Sequence, residues 1–188
     1  WFLGTTKYVE KTLTRDHTER MLMSFGGKIK TEKTENGYAH YVQGLQELKP
    51  QEINVPSDPS SASFFIAAAL MVEGSDITIK NICMNETRIG FLKVVELMGA
   101  IIEVKNKKNI CGEPVADLRV KHSSLRGVKV PGNLVSSMID EFPVLSVLAA
   151  LAEGKTEMND IGELRVKESD RILSMAKGLR QCGVEVDF

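Results

Sequence analysis

Three segments of the chain repeat one order of apolar and polar positions. They begin at Gly4, Gly74 and Gly154, and each runs through an alternating stretch, a polar link that contains an arginine, a helical pattern, a glycine and a second alternating stretch. Alternation with period two is typical of strands, and a period of 3.6 residues is typical of helices. The repeat therefore predicts three strand–helix–strand units.

Capping residues predict where the helices begin and end. Thr87 is expected to cap the helix of the second unit, Ser169 that of the third, and Asp16 or Thr14 that of the first, because short polar side chains satisfy the free N–H groups of a helix start. Gly99 suits the left-handed position that ends the second-unit helix. The residues expected to face inward are, in chain order, Met21, Leu22, Phe25, Ile89, Leu92, Val95 or Glu96, Ile172, Met175, Ala176 and Leu179.

Two further stretches, residues 60–72 and 140–152, are rich in alanine and nearly apolar all round, which predicts buried helices. Asn36-Gly37 is a strong signal for a two-residue hairpin turn, and residues 105–109 give a looser one. Each full unit is thus predicted to be β-α-β-α-β-β over roughly 80 residues. The first and third units are incomplete, and residues 1–3 are expected to be the tail of a helix of the first unit. We therefore expect this chain to be an internal fragment of a longer protein.

Composition narrows the classes of function. The 188 residues carry 24 Lys and Arg against 25 Asp and Glu, a net charge of −1, which disfavours a general nucleic-acid binder. No apolar run reaches the length of a membrane span. The three cysteines, Cys83, Cys111 and Cys182, have no CxxC spacing, so neither a disulfide framework nor a zinc site is expected, and a reducing cytoplasm fits. We expect no metal and no cofactor.

The densest group of charges, residues 164–171, lies just before a predicted helix. Free N–H groups at a helix start favour anions, and Lys167 and Arg171 add positive donors that can bind phosphate or carboxylate. Glu168, between these cations, could act as an acid or a base. The same charges could also form a solvated capping turn with local ion pairs.

Other charged and titratable residues occupy comparable places. Asp140 starts an apolar helix, where it either caps the helix or faces a ligand at that end. Arg15 lies in the equivalent loop of the first unit. His17 is interpreted as a surface or capping residue, and His40 and His122 as structural ones.

Five motifs together resemble the 5-enolpyruvylshikimate-3-phosphate synthase family, and the resemblance covers nearly all of the chain. Two of them, TRDHTE and SMID, are similar to the bacterial branch often called class II, and LRVKESDR is similar to the most specific signature of the family. The motifs are TRDHTE at 14–19, DPSSASFF at 58–65, NETRIG at 85–90, SMID with EFPVL at 137–145, and LRVKESDR at 164–171.

The resemblance implies a fold. The family has two α/β domains, each an inside-out barrel of three β-α-β-α-β-β units, with ligands bound in the cleft between the domains. Residues 1–54 would be the last part of the first domain, residues 55–59 the crossover, and residues 60–188 the major part of the second domain, incomplete at its C-terminus. The whole enzyme would be more than twice the length of this chain.

The resemblance also implies a reaction, the transfer of the enolpyruvyl group from phosphoenolpyruvate to the 5-hydroxyl of shikimate 3-phosphate with release of phosphate. Asp140 would bind the shikimate hydroxyls and accept a proton, and Glu168 would carry protons to and from the methylene carbon. Arg15 and Lys167 would bind shikimate 3-phosphate, and Arg171 would bind phosphoenolpyruvate. The partners implied are these two small molecules, without nucleic acid or membrane, in a cytoplasmic enzyme that is monomeric at full length.

Several family features have no counterpart in this chain, among them an N-terminal Lys-Ser motif, the substrate strand and later Arg and Lys clamps. We therefore expect the isolated chain to be inactive. Two alternatives of related fold stay open: UDP-N-acetylglucosamine enolpyruvyl transferase, whose reactive loop cysteine has no counterpart here, and a non-catalytic module that binds phosphorylated ligands. An RNA-end-processing protein of similar repeat architecture is a third, although its usual histidine nucleophile motif is not seen.

Overall fold

The computed structural model describes residues 3–188, so most of the helix tail expected at residues 1–3 lies outside the described residues. The described chain folds into two three-stranded antiparallel sheets, five α-helices and three 3-10 turns. The elements are β1 (Thr5–Glu10), α1 (His17–Ser24), β2 (Ile29–Thr34), β3 (Gly37–Gln43), α2 (Pro59–Met71), β4 (Asp76–Cys83), α3 (Gly90–Leu97), β5 (Ile101–Ile110), β6 (Glu113–Lys121), α4 (Phe142–Leu151) and α5 (Arg171–Gln181), with 3-10 turns at Gly132–Ser137, Ile139–Glu141 and Gly162–Val166.

The two sheets share one topology. Their strand orders are β1-β3-β2 and β4-β6-β5, so the last strand of each unit is central. The hairpin predicted around Asn36-Gly37 forms, but its two loop residues are Glu35 and Asn36, because Thr34 pairs with Gly37. The second hairpin turns at Cys111-Gly112 instead of at residues 105–109, so that prediction is wrong. There β5 continues through a register shift, where Asn106 takes a left-handed backbone, φ 50°.

The segments that precede α2 and α4 form isolated parallel bridges rather than strands. Ser57 bridges Ile82 of β4, and Lys129 bridges Glu157 in the third unit. The third unit contains both of its helices, but the strands expected beside them are not formed anywhere in residues 154–188. A strand is stabilised by hydrogen bonds to a neighbour, and these segments find only the isolated bridges.

The core lies between α2, α3 and α4 and the sheet of β4 and β6. Its most buried large side chains come from these five elements and from the turn before α4, and Ile77 and Ile79 pack on it as the alternation of β4 predicts. The fully buried members with the largest side chains are Ile66, Leu70, Ile82, Met98, Leu118, Met138, Leu145 and Leu148. Among residues 3–188, no helix combines the length and apolarity that a membrane crossing needs.

Three helices are less buried than predicted, and in α5 Ala176 is the only buried residue. The helix α2 packs on β4, β6 and α4, and its remaining side is open, so Phe64 and Phe65 are each 64% exposed. None of the residues of α1 is buried, and Met21 is 48% exposed rather than facing inward. The helix α3 is as predicted, with Leu92 and Val95 in the core.

The predicted caps are partly wrong. The helix α3 begins after Ile89, since the buried Thr87 uses its N–H and hydroxyl to bind the Asn85 side chain. The cap of α5 is Asp170, whose carboxylate accepts from the Leu173 N–H, rather than Ser169. Asp16 stands at the cap position of α1, but its side chain makes no capping bond there.

The prediction for Gly99 is confirmed, and the glycines that end the helices of the other two units adopt the same conformation. Gly26, Gly99 and Gly183 follow the last helical turns of α1, α3 and α5 with φ between 83° and 100°. This is the left-handed region that a helix end needs and that other residues adopt at a cost. The repeat predicted from the sequence is therefore a repeat of local structure at these positions.

Candidate active site

Loops and helix starts from two parts of the chain bring the five predicted site residues into one region. Arg15 lies in the loop between β1 and α1, and Asp140 lies in the 3-10 turn Ile139–Glu141. Lys167 and Glu168 follow the 3-10 turn Gly162–Val166, and Arg171 is the first residue of α5. The predicted group is thus assembled from positions up to 156 residues apart (15 to 171).

Asp140 lies between two guanidinium groups. Arg15 donates to its Oδ2 at 2.5 Å, and Arg171 donates to its Oδ1 at 3.3 Å. The expectation that Asp140 caps α4 is wrong, because the helix begins two residues later and Glu141 stands at the cap position. The carboxylate is instead turned toward the arginines.

The arginines keep Asp140 ionised. Partial burial acts to raise the pKa of this carboxyl, but the hydrogen bond and charge of Arg15, helped by Arg171 and Lys167, outweigh it and leave the pKa below its usual value. An ionised carboxylate has two acceptor oxygens and no proton to give. Asp140 is therefore in the form that can accept hydrogen bonds from hydroxyls or take up a proton.

Arg171 also holds Glu168 in a two-point ion pair. Its Nε and Nη2 donate to the two carboxylate oxygens at 2.9 and 2.8 Å. The hydrogen bond to Arg171 is the main reason that the pKa of Glu168 lies below its ordinary value. Because the Glu168 side chain is 66% exposed, solvent screens this pair and a ligand can reach it.

Lys167 is paired as well. Its Nζ donates to Glu163 at 2.5 Å across one helical turn, and its side chain is 27% exposed. Each of the three cations in the site thus has a carboxylate partner, and each pair is open to solvent on one side. Such pairs can exchange a protein carboxylate for an anionic ligand at small cost, because exposed ion pairs contribute little.

A neighbouring polar network was not predicted. Glu141 is buried and accepts a short hydrogen bond from the Ser60 hydroxyl. Arg88 donates to the same hydroxyl at 2.8 Å and to Asp58 at 2.9 Å. Burial raises the pKa of Glu141 above its ordinary value despite these partners. One feature of the sequence could have indicated this network: Arg88 occupies the position in the second unit that Arg171 occupies in the third.

The three histidines divide into two kinds. His40 is buried, bonded to Thr31 and Glu10 and stacked on Tyr8, and the His122 Nδ1 donates to the Leu70 carbonyl, so both are structural as predicted. His17 neither caps α1 nor faces only solvent, since its Nδ1 lies 2.7 Å from Glu113 Oε1. That contact joins α1 to β6.

Comparisons with known proteins define first the class and then the family. The enolpyruvyl transferase NikO from Streptomyces tendae superposes with a TM-score of 0.59 at 18% identity, over 82% of this chain and 35% of that one. This likeness shows the fold alone, and it agrees with the predicted α/β fold of the enolpyruvyl transferases. An EPSP synthase from Acinetobacter baumannii superposes with a TM-score of 0.89 at 45% identity, over 96% of this chain and 40% of that one.

The family follows from the sequence matches. The family model of EPSP synthase (3-phosphoshikimate 1-carboxyvinyltransferase) matches residues 2–188. A 3-phosphoshikimate 1-carboxyvinyltransferase from Sphingopyxis alaskensis is 52% identical over 185 residues, which are 98% of this chain and 42% of that protein. The chain belongs to the EPSP synthase family, and it spans about two fifths of the length of the relatives it matches. These matches also favour this family over the UDP-N-acetylglucosamine alternative.

Proposed function

We propose that this chain forms part of an enzyme that transfers the enolpyruvyl group from phosphoenolpyruvate to the 5-hydroxyl of shikimate 3-phosphate and releases phosphate. The observation that carries the proposal is the geometry of Asp140, held between Arg15 and Arg171. All three are residues that the family resemblance assigns to substrate. The site supplies cations for phosphate and carboxylate groups and ionised carboxylates for proton transfer, which are the groups that this reaction needs.

In the proposed mechanism, Asp140 orients the substrate hydroxyls and accepts the proton of the attacking hydroxyl. Its lowered pKa supports the first role, because the carboxylate is ionised when the substrate arrives. Proton uptake becomes favourable once a ligand anion draws Arg15 and Arg171 away, since the pKa of Asp140 rises when its cationic partners leave.

Glu168 is proposed to protonate the methylene carbon of phosphoenolpyruvate and then remove a proton again. In the ligand-free chain it is bound by Arg171 and ionised. A phosphoenolpyruvate anion that takes over Arg171 would remove the main cause of the low pKa, and desolvation by the ligand would raise it further. The ligand would thus convert Glu168 into an acid at the moment it is needed.

Anion binding is proposed for the three cations. Arg15 and Lys167 would hold shikimate 3-phosphate and Arg171 phosphoenolpyruvate, each by exchanging its present carboxylate partner for a ligand group. Guanidinium groups suit this exchange because they bind phosphate or carboxylate through two parallel hydrogen bonds.

We further propose that the site lies between two domains. Residues 1–54 would belong to the first domain, residues 55–59 would cross over, and residues 60–188 would belong to the second. The two separate sheets support this division, because β1 to β3 form one and β4 to β6 the other. The whole protein is proposed to be a cytoplasmic monomer, and the isolated chain to be inactive because the remaining family clamps are not in it.

The function is tested by replacing the matching segment of the Sphingopyxis alaskensis relative with this chain and measuring phosphate release with both substrates. Glu168→Gln should lower turnover by at least about 100-fold, the usual contribution of an acid–base group, with little change in substrate affinity. Glu73→Gln, at an exposed glutamate after α2, is the matched control. Equal losses of turnover and affinity would contradict the role of Glu168, and turnover by the isolated chain would contradict its inactivity.

A further inference from the structure

Three residues far apart in the sequence meet where α1 contacts the second sheet. His17 begins α1, Cys83 ends β4 and Glu113 begins β6. One ligand atom from each, the His17 Nδ1, the Cys83 Sγ and a Glu113 carboxylate oxygen, lies within 4.8 Å of the other two. The proposed reaction uses none of these side chains, so the cluster is free for another role.

The cluster offers the nitrogen, sulfur and oxygen donor atoms that a divalent metal of intermediate softness, such as zinc, prefers. Zinc is bound in proteins by imidazole nitrogen, thiolate sulfur and carboxylate oxygen, and sites with three protein ligands leave a fourth position for water. A nitrogen, a sulfur and an oxygen donor are all present here. The absence of a CxxC spacing predicted no zinc site, but that argument covers only ligands that are near in sequence.

The distances come near to those around a tetrahedral ion, and they are measured to the two different carboxylate oxygens of Glu113. The Cys83 Sγ lies 3.8 Å from Glu113 Oε2, and the His17 Nδ1 lies 2.7 Å from Glu113 Oε1. Tetrahedral zinc would separate a nitrogen and an oxygen ligand by about 3.3 Å, so the histidine must withdraw slightly. It can do so because its side chain is 38% exposed.

Neighbouring groups hold the ligands in place. The Asn85 amide donates to Glu113 Oε2 at 3.0 Å and to Asp16 Oδ1 at 2.6 Å. The backbone N–H of Cys83 donates to the Ser57 carbonyl at 3.0 Å. Outer hydrogen bonds of this kind orient the ligands of metal sites.

Solvent can reach the cluster. His17, Cys83 and Glu113 line one wall of an open cavity of about 320 Å³, together with Asp58 and Cys111.

We propose that His17, Cys83 and Glu113 form a zinc-type metal site that joins α1 to the strands β4 and β6. His17 lies in the segment that forms the first sheet, and Cys83 and Glu113 lie in the second sheet. A bound ion would therefore cross-link these two parts of the chain. The proposal depends on this geometry alone and does not rest on the proposed reaction.

The test uses the 188-residue chain after removal of metal by a chelator. Zinc is titrated by calorimetry, and cobalt(II) is added as a spectroscopic probe, because thiolate coordination gives an intense charge-transfer band that oxygen and nitrogen ligands do not give. We expect one zinc per chain, a cobalt–thiolate band and a higher unfolding midpoint with zinc.

Variants identify the ligands. Cys83→Ser should abolish the cobalt–thiolate band, and His17→Gln and Glu113→Gln should each weaken zinc binding at least about tenfold, since a lost ligand costs no less than a lost outer partner. Cys111→Ser and Cys182→Ser are the matched controls and should leave binding unchanged. His17 is half-exposed, so its variant keeps the test valid if Cys83→Ser fails to fold, which circular dichroism detects.

Three outcomes would overturn the proposal. The first is no zinc binding by the unaltered chain, which would leave only the His17–Glu113 hydrogen bond. The second is binding with no cobalt–thiolate band, which would exclude Cys83 as a ligand. The third is binding that is lost in Cys111→Ser but kept in folded His17→Gln, which would place the ion elsewhere in the cavity.

Discussion

At the scale of single residues, two adjacent carboxylates have opposite properties. Asp140 lies between two arginines, and its pKa is lowered. Glu141 is buried beside Ser60, and its pKa is raised, with burial as the main cause. The backbone turn Ile139–Glu141 separates them by directing one side chain toward the site and the other into the protein. This difference could not be predicted from the sequence, where both residues stand together before an apolar helix.

The raised pKa of Glu141 predicts a dependence of stability on pH. As pH rises through the ordinary glutamate pKa, the unfolded chain releases a proton that the folded chain still holds, so the free energy of unfolding falls. Glu141→Gln should remove this contribution, because a neutral amide oxygen can still accept from Ser60. The stability that the variant gains over the unaltered chain should grow as the pH rises above about 4.3, the ordinary glutamate pKa.

Urea unfolding at several pH values checks this prediction. Glu73→Gln, at an exposed position, should follow the unaltered chain throughout. Parallel curves for Glu141→Gln and the unaltered chain would show that Glu141 titrates normally in the folded state.

At the scale of elements, the sequence pattern located the helices well and their caps poorly. The period of the apolar positions located α3, and the glycines at 26, 99 and 183 marked three helix ends. Caps depend on which polar side chain reaches a free N–H, and tertiary contacts decided that: Asn85 bound Thr87, and Arg20 and Asn85 bound Asp16. The site residues themselves were predicted from family motifs, whereas their pairing required the fold.

The cap of α5 can be tested by a pair of neighbouring substitutions. Asp170→Ala should cost about 1 kcal/mol of stability, because the Leu173 N–H loses its acceptor. Ser169→Ala, at the position that the sequence favoured, should change stability by less than about 0.5 kcal/mol. Thermal and urea unfolding measure both, and equal effects would mean that capping does not explain the Asp170 contribution.

At the scale of the whole molecule, apolar burial is concentrated in the part of the chain that holds α2 to α4. That part contains the large apolar cluster, whereas α1 has no buried residue and β1 is almost wholly exposed. Apolar burial is the main source of folding free energy. We therefore expect β1 to β3 to open at lower denaturant than the cluster, while Asp140 stays in the better packed part.

A matched pair of leucines in α4 tests where the core lies. Leu148 is fully buried and Leu151 is 68% exposed, three residues apart on the same helix. Leu148→Ala should cost about 2–5 kcal/mol through lost burial and the cavity left behind. Leu151→Ala should cost less than about 0.5 kcal/mol. Similar losses measured by urea unfolding would mean that the face containing Leu151 is covered in solution.

The pairing of every site cation with a carboxylate has a consequence for selectivity. Arg15, Lys167 and Arg171 face Asp140, Glu163 and Glu168, so the site is nearly neutral before any ligand arrives. A single chloride or acetate ion gains little by entering, because it can replace only one of the linked carboxylates. A molecule that brings several negative groups at fixed spacing can replace them together. We therefore expect the site to select solutes by the number and spacing of their negative groups.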